Sequence, residues 1–299
     1  VTEVATPVAR ADPVAGLKCL VWDLDGTVWS GSLLDGDEPQ LRPGAREVVA
    51  ELDARGILQS VASANLHDHA WPWLQRFGLA QYMVAPEIGL GDKHESVARV
   101  ARRLRLRLAD VAFVDDDPLE RALVGSMLPD VTVLDAADYR LIPDDPRFNP
   151  TVLSREGRQR RHLVQAELRR EEEAAAHPTL ADFLRSASIH FRGRRATTVD
   201  LGRILELTAR ANRMNATASS RGADDLQAVL ADPARELLVA SMHDRFGDYG
   251  TVAAAVLGLA GREAEVDGLW MSCRAGRRGL PAAFFTFLAG RAHAAGATG

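Results

Sequence analysis

Two cysteines in 299 residues, Cys19 and Cys273, are too few for a disulfide framework and argue against a small stapled extracellular scaffold. No apolar run approaches the ~20 residues needed to span a bilayer. Residues 1–16 lack the basic-then-apolar order of a signal peptide. These absences lead to the expectation of a soluble, cytoplasmic chain with no membrane partner. Lysine is nearly missing as well, Lys18 and Lys93 being the only two among 36 basic residues. Ammonium is a compact point charge and guanidinium a broad fork. A lone interior-loop Lys in an arginine-rich chain is therefore a candidate phosphate ligand, with chance retention as the alternative. A basic excess is also absent. The net charge of -5 argues against nucleic acid as the main partner.

What is present is globular: 46% hydrophobic and 26% charged residues, in a chain long enough for two ordinary domains. The stretch around which the rest is organised is Leu20-Val21-Trp22-Asp23-Leu24-Asp25-Gly26-Thr27. A short apolar run ending in a turn reads as a buried strand. Alternation along an extended backbone would aim Asp23 and Asp25 to the same side, and Gly26 permits a sharp turn. The carboxyl end of a central strand is where open α/β sheets bind ligands. Two crowded carboxylates repel unless a cation or a proton lies between them, which points to magnesium and phosphoryl chemistry. The competing reading is a chance Asp-x-Asp loop that caps a helix.

The elements that follow alternate as in a doubly wound sheet. Residues 29–41, rich in Gly, Ser and Asp, suit a flap or hairpin over the site. Arg42-Pro43-Gly44 opens an amphipathic helix with Gly56 as its stop. Residues 57–62 form a second strand that delivers Ser63-Ala64-Asn65 to the same sheet edge. There Ser63 and Asn65 could meet a phosphate oxygen or simply cap the helix that begins near His67. Lys93 opens a further helix, and Val111-Ala112-Phe113-Val114 is a strand ending in Asp115-Asp116-Asp117-Pro118, an acid cluster that needs a cation or solvent. No large insertion separates Thr27, Ser63 and Lys93, so the site would be open to bulky partners.

Residues 143–150, irregular and proline-rich, read as a boundary, and residues 154–176 as a solvated, charged connecting helix. Beyond it a second α/β unit is expected, with strands near 189–191, 236–242, 251–257 and 265–272 and a helix over 201–211. The last strand runs into Cys273-Arg274-Ala275-Gly276-Arg277-Arg278-Gly279, ahead of a long helix from Pro281. A basic, glycine-bearing turn at a helix amino terminus suits phosphate or pyrophosphate, or it is an ordinary strand-helix turn with surface arginines.

Four strand-end features in order over residues 17–134 resemble the motifs of the haloacid dehalogenase (HAD) superfamily. The resemblance implies an α/β fold with a HAD-like Rossmannoid parallel sheet and no large cap. It further implies Asp23 as the nucleophile forming an aspartyl-phosphate, Asp25 as general acid/base, and Thr27 as the residue holding the loop. Ser63 and Lys93 would bind phosphate with Asn65, and magnesium would be held by Asp23, Asp25, Asp115 and Asp116. Arg274-x-x-Arg277-x-Gly279 resembles the phosphopantetheine loop of GNAT acyltransferases, with Arg277 in place of a glycine. The combination resembles the FkbH-like family of polyketide assembly over residues 17 to about 295. It is carried also by Lys18-Cys19 and Val28-Trp29, by residues 114–121, by Asn212-Arg213-Met214-Asn215-Ala216-Thr217, by residues 244–250, and by Trp270-Met271-Ser272-Cys273-Arg274. Ala64 departs from the lysine frequent there.

That resemblance implies four parts. They are an extension over 1–16, a HAD-like phosphatase domain over 17–150, a helical linker over 151–180 and a GNAT-like acyltransferase domain over 181–299. GNAT folds usually continue past the last helix, so the second domain would be reduced or truncated. The implied activity dephosphorylates 1,3-bisphosphoglycerate and loads a glyceryl group onto the phosphopantetheine arm of an acyl carrier protein. Cys273 is the preferred acyl relay, with Cys19 or direct attack by the carrier thiol as alternatives. A simple magnesium-dependent phosphatase and a non-catalytic carrier-protein docking scaffold are the competing functions.

Overall fold

A computed structural model describes residues 16–150, 154–209, 221–260, 262–276 and 278–298. The chain divides into two compact units, Val1–Thr151 and Val152–Gly299.

The first unit runs β1 (Cys19–Trp22), β2 (Trp29–Ser30), β3 (Gln40–Leu41), α1 (Ala45–Ala54), β4 (Leu58–Ser63), α2 (His67–Arg76), β5 (Glu87–Ile88), α3 (Lys93–Arg103), β6 (Val111–Asp115), α4 (Pro118–Met127) and β7 (Thr132–Asp135). Five strands pair in parallel in the order β5-β4-β1-β6-β7. The central strand has no polar residue, and all four of its side chains are buried, as a strand covered on both faces requires. Its Trp22 finds a buried partner for its indole N–H in Gln59 Oε1 at 2.7 Å. After β1 the chain builds outward through β4 and β5, then returns to place β6 on the other side of β1. The strand order reverses there, between β1 and β6, and a crevice opens at such a point beyond the carboxyl ends. Trp22 pairs with Val114, so the residues that follow them, Asp23 and Asp115, leave the sheet side by side.

The expected hairpin is present, with Trp29 pairing with Leu41 and Ser30 with Gln40. In α1 the side chains of Ala45, Val48, Val49 and Leu52 turn inward at helical spacing, and Gly56, at φ +76°, follows its end. Helix α4 is capped by Asp117, whose carboxylate accepts from Leu119 N, with Pro118 in the first turn.

The second unit contains α5 (Arg155–Arg158), α6 (Arg160–Ala175), α7 (Leu180–Ala187), β8 (His190–Arg195), α8 (Leu201–Ala209), α9 (Ala223–Ala231), β9 (Arg235–Asp244), β10 (Gly247–Ala260), β11 (Glu263–Met271), α10 (Cys273–Gly276) and α11 (Leu280–Ala294). Its sheet is antiparallel, ordered β11-β10-β9-β8. Alternation along β9 sends Leu238, Ala240 and Met242 to one face, with Leu280, Phe284 and Leu288 of α11. Leu237 and Val239 go to the other, with Ile204, Leu207, Leu226 and Val229 of α8 and α9.

The segment expected as a solvated connector is instead built into this unit. Arg170 of α6 is 1% exposed and donates through Nε and Nη2 to Asp244 at 2.7 and 2.9 Å. The Asp244 carboxylate also accepts from Tyr249 Oη and from Phe246 N, and the Tyr249 ring lies 3.8 Å beneath the guanidinium. The blocks of like charge along α6, Arg169-Arg170 followed by Glu171-Glu172-Glu173, hid this. An arginine that will be buried against an aspartate 74 residues later reads locally like its solvated neighbours.

Candidate functional site

The acids at the reversal of strand order converge. Asp23, Asp115 and Asp116 each offer an oxygen, and these oxygens lie within 4.8 Å of one another. Asp23 and Asp115 are buried, and Asp23 N donates to Val114 O, which ties the loop to β6. Lys93 Nζ, at the start of α3, reaches between them, 3.1 Å from Asp23 and 2.7 Å from Asp115. One ammonium therefore pairs with two of the three carboxylates, with Asp116 beside them.

The electrostatics follow from that imbalance. Burial pushes the Asp23 carboxyl up to about 7; Lys93 pulls against the rise and Asp115 adds to it. Asp115 is raised for the same first reason, again opposed by Lys93. Burial alone would lower Lys93, but attraction to Asp23 and the hydrogen bond to Asp115 outweigh it and hold the amine charged. A site of hard oxygen donors, still short of positive charge, fits a divalent cation of the magnesium class.

Thr27 is buried and donates from Oγ1 to Asp116 Oδ1 at 3.2 Å, so it joins the first loop to the third acid. Gly26 is required between them. Its φ is +69°, and a Cβ there would stand 2.2 Å from Asp116 Oδ2.

Asp25, expected among the metal ligands, does not join that group of oxygens. The loop after it turns at Gly26, and its carboxylate is held elsewhere. Oδ1 accepts from Trp29 Nε1 at 2.7 Å, and Oδ2 accepts from Leu33 N at 3.2 Å and Asn65 Nδ2 at 3.1 Å. Asn65 Nδ2 also donates to Ser63 Oγ at 3.1 Å. The helix-capping alternative for these residues is not adopted, because Leu66 is the α2 N-cap and no side chain caps it.

Several residues of this site escaped the sequence. Trp29 and Leu33 tie the hairpin to Asp25. Arg42 Nη1 donates to the carbonyls of Gly26, Thr27 and Ala136 at 3.1, 3.2 and 3.0 Å, pinning the loop from behind. Arg121 Nη1 holds the Asp115 carbonyl at 2.9 Å. The Trp29 indole, four residues after Asp25, was the one signal available, as a polar handle on an otherwise apolar side chain.

The second expected site is less assembled. Gly279, at φ +81°, is the α11 N-cap, and the loop does enter a helix amino terminus. Yet Arg278 is bidentate on Glu167 at 2.8 and 2.9 Å, so this arginine is already matched. The side chains of Cys273 and Arg274, residue Arg277 and the segment 212–217 lie outside the described residues. Cys19 is fully buried, and burial pushes its thiol up to about 12. It is an inert core residue, not an acyl relay.

Residues 30–120 match the family of haloacid dehalogenase-like hydrolases. The first unit thus carries a HAD-like hydrolase domain. The match includes Ser63, Asn65, Lys93, Asp115 and Asp116 and begins after Asp23, Asp25 and Thr27. No curated protein sequence matches the chain. Among solved structures, the N-terminal part of a Bacteroides fragilis protein, containing a phosphatase domain complexed with Mg, is 27% identical at TM-score 0.40, covering 44% of this chain and 40% of that one. The chain thus spans less than half of that protein. The 3-deoxy-D-manno-octulosonate 8-phosphate phosphatase of Moraxella catarrhalis, in complex with magnesium, phosphate and KDO, is 17% identical at TM-score 0.27, covering 37% and 64%. The cobalt-bound deoxy-D-mannose-octulosonate 8-phosphate phosphatase of Haemophilus influenzae is 14% identical at TM-score 0.30, covering 58% and 97%. These TM-scores are too low to carry an activity from those proteins to this one. No helix among the described residues is long and apolar enough to cross a membrane.

Proposed function

We propose that the first unit is a magnesium-dependent phosphatase in which Asp23 is the phosphoryl acceptor. The observation that carries this is the buried Asp23–Lys93–Asp115 cluster, with Asp116 within ligand distance. Asp23 would attack phosphorus, breaking the bond to the leaving oxygen and forming an aspartyl-phosphate, while Asp25 hands a proton to that oxygen. Water, deprotonated by Asp25, would then attack phosphorus, returning Asp23 and releasing phosphate. Lys93 and Ser63 would hold phosphoryl oxygens. A magnesium ion on Asp23, Asp115 and Asp116 would supply charge neutralisation. Asp25 takes the proton-transfer role rather than a metal-ligand role because Trp29, Leu33 and Asn65 fix both of its oxygens.

A finer reading makes the chain a bifunctional enzyme of the FkbH-like kind. It would dephosphorylate 1,3-bisphosphoglycerate and load the glyceryl group onto an acyl carrier protein, with a GNAT-like second unit. The run of β11 through α10 into α11, with left-handed Gly279 at the helix entrance, favours it. The acyl phosphate is already activated toward a thiol. With Cys19 inert, the acyl acceptor is Cys273 or the carrier thiol itself.

Intact-protein mass spectrometry separates the readings. Enzyme, magnesium, freshly generated 1,3-bisphosphoglycerate and a phosphopantetheinylated carrier protein are mixed, and both proteins are weighed. Glyceryl mass on the carrier supports transfer, and a matching gain on the enzyme, lost in Cys273→Ala, adds the relay. Phosphate release with no gain on either protein leaves the phosphatase alone. Asp23→Asn is expected to abolish phosphate release; release at the wild-type rate would overturn both readings.

A further inference from the structure

The sheet registers the two acid-bearing loops only as far as their first residues. The ladder between β1 and β6 ends with Trp22 against Val114, and Asp23 N donates to Val114 O just past it. Gly26 and Thr27 on one side, and Asp116 on the other, lie beyond that support. The direct side-chain bond across them, Thr27 Oγ1 to Asp116 Oδ1, is 3.2 Å, long for a hydroxyl donor. Two arginines join the same loops by a longer route. Arg42 Nη1 donates to the carbonyls of Gly26 and Thr27 at 3.1 and 3.2 Å, and to that of Ala136 at 3.0 Å. Arg121 donates from Nη1 to the Asp115 carbonyl at 2.9 Å and from Nη2 to Asp135 Oδ2 at 2.6 Å. Both arginines therefore end on consecutive residues, Asp135 and Ala136, where the chain leaves β7. That turn is itself braced. Asp135 stands in register with Asp115, and its Oδ1 accepts from Ala137 N at 2.8 Å. The Arg42 guanidinium lies 4.3 Å from the centre of the buried Tyr139 ring, three residues along. The connection runs in series: first loop, Arg42, turn, Arg121, second loop.

We propose that Arg42, Arg121 and Asp135 are positioning residues for the magnesium site. They hang both acid-bearing loops from the one turn after β7, and so hold the loop of Asp23 against that of Asp115 and Asp116 before the ion arrives. The inference rests on the metal site of the phosphatase reading and adds to it the groups that set its spacing. Groups that orient metal ligands act on affinity without touching the ion. Links in series also have a property that independent braces lack. Cutting any one of them disconnects the ends, so cutting a second costs little more, whereas independent losses multiply.

The experiment is isothermal titration with magnesium of wild type, Arg42→Met, Arg121→Met and the double variant. Methionine keeps the aliphatic stem and removes the donors. Urea unfolding of each metal-free protein runs alongside. Each single substitution is expected to weaken magnesium binding about 10-fold, and the double variant also about 10-fold rather than about 100-fold. Asp135→Ala cuts the Arg121 link from its other end and is expected to reproduce the affinity of Arg121→Met. Where circular dichroism shows a methionine variant unfolded, Asp135→Ala replaces Arg121→Met, and Arg42→Gln, too short to reach the turn, replaces Arg42→Met. A brace that served only the fold would lower urea stability and leave magnesium affinity at the wild-type value. That result overturns the inference and leaves the phosphatase standing. Losses that multiply in the double variant overturn it as well, since they belong to two independent braces. A wild type that binds no magnesium overturns the metal site, and the phosphatase reading and the inference fall together.

Discussion

Gly26→Ala is the smallest change that addresses the proposed metal site without removing any of its polar groups. Gly26 has φ +69°, where a residue with a Cβ loses roughly 1–2 kcal/mol relative to its preferred backbone. The new methyl would lie 2.2 Å from Asp116 Oδ2 and 2.5 Å from its Cγ. Non-bonded carbon contacts settle near ~3.5 Å, so the carboxylate has to retreat by roughly 1 Å. Metal-ligand distances hold to about 0.2 Å, so that displacement takes Asp116 out of a shared coordination sphere. Moving it also strains the Thr27 Oγ1 to Asp116 bond, which at 3.2 Å ties the first loop to the third acid. Magnesium affinity should fall about 10- to 100-fold, the range for disturbing the groups that orient a metal site. Isothermal titration with magnesium reads the affinity, and phosphate release against magnesium concentration reads the consequence. Urea unfolding of the metal-free protein should show only the ~1–2 kcal/mol of backbone strain. Wild-type magnesium affinity, with that stability loss present, would show that Asp116 is not a ligand and refute the assignment.

Trp29→Phe removes the indole donor to Asp25 Oδ1 while keeping an aromatic ring in the core, and kcat should drop about 10- to 100-fold, as expected for one hydrogen bond to a charged group. An unchanged kcat in steady-state phosphate release would separate the hairpin from catalysis. In the second unit, burial works to raise Asp244, but the bonds from Arg170 and Tyr249 outweigh it and hold the carboxyl below its ordinary value. The unfolded chain then binds the proton first on acidification, so this stabilisation is complete above the ordinary carboxylate value and is lost as pH falls through the folded one. Urea titrations at pH 7, 4 and 3 should show the second unit weakening toward acid. Asp244→Asn should be less stable at pH 7 by about 1.5–3 kcal/mol, because Arg170 loses its bidentate carboxylate and keeps only Glu167 at 3.5 Å and the Gly247 carbonyl at 2.7 Å, and should lose most of that pH dependence.

The part of the fold legible in the sequence was the part written in short-range pattern. An all-apolar Cys19–Trp22 followed by Asp23, and Val111–Val114 followed by Asp115, each announced a buried strand with an acid at its end. The sheet order then brought the two ends together. Ser63 and Lys93 were found in the same way, by their positions after a strand and at the start of a helix. What was not legible depends on where side chains reach. Asp23 and Asp25 share a strand-like spacing, yet the turn at Gly26 sends Asp25 to Trp29, Leu33 and Asn65. Arg42 reads as a helix-opening residue, and only folding shows its guanidinium on the carbonyls of Gly26 and Thr27. Arg170 failed for the opposite reason, since its partner Asp244 is remote and its local company is all charged.

Two buried acid sites among the described residues, Asp23–Asp115 in the first unit and Asp244 in the second, differ in a way that separates a working site from a brace. Asp244 has its oxygens covered by Arg170, Tyr249 and two backbone N–H groups, and its carboxyl is held low. Its charge is wanted where it is and is already matched, so nothing further is needed to stabilise it. Asp23 and Asp115 are as deeply buried, but they share one ammonium with Asp116 close by, and their carboxyls are pushed up. A chain that only needed these groups to hold itself together would gain by matching them, as it has done at Asp244. Leaving the charge unmatched at the carboxyl ends of β1 and β6 keeps capacity for a cation and a phosphoryl group that arrive from outside. The contrast also sets an order of loss on acidification. Burial holds the Asp23 carboxyl up near about 7 and holds Asp115 high as well, so protonating them costs the metal-free fold nothing, because for groups held high the native state binds the proton first. Metal affinity should therefore fail at a higher pH than the second unit's stability does. Magnesium titrations and urea titrations over one pH series would check that order, and simultaneous failure would mean the two clusters are not the separate devices their partners indicate.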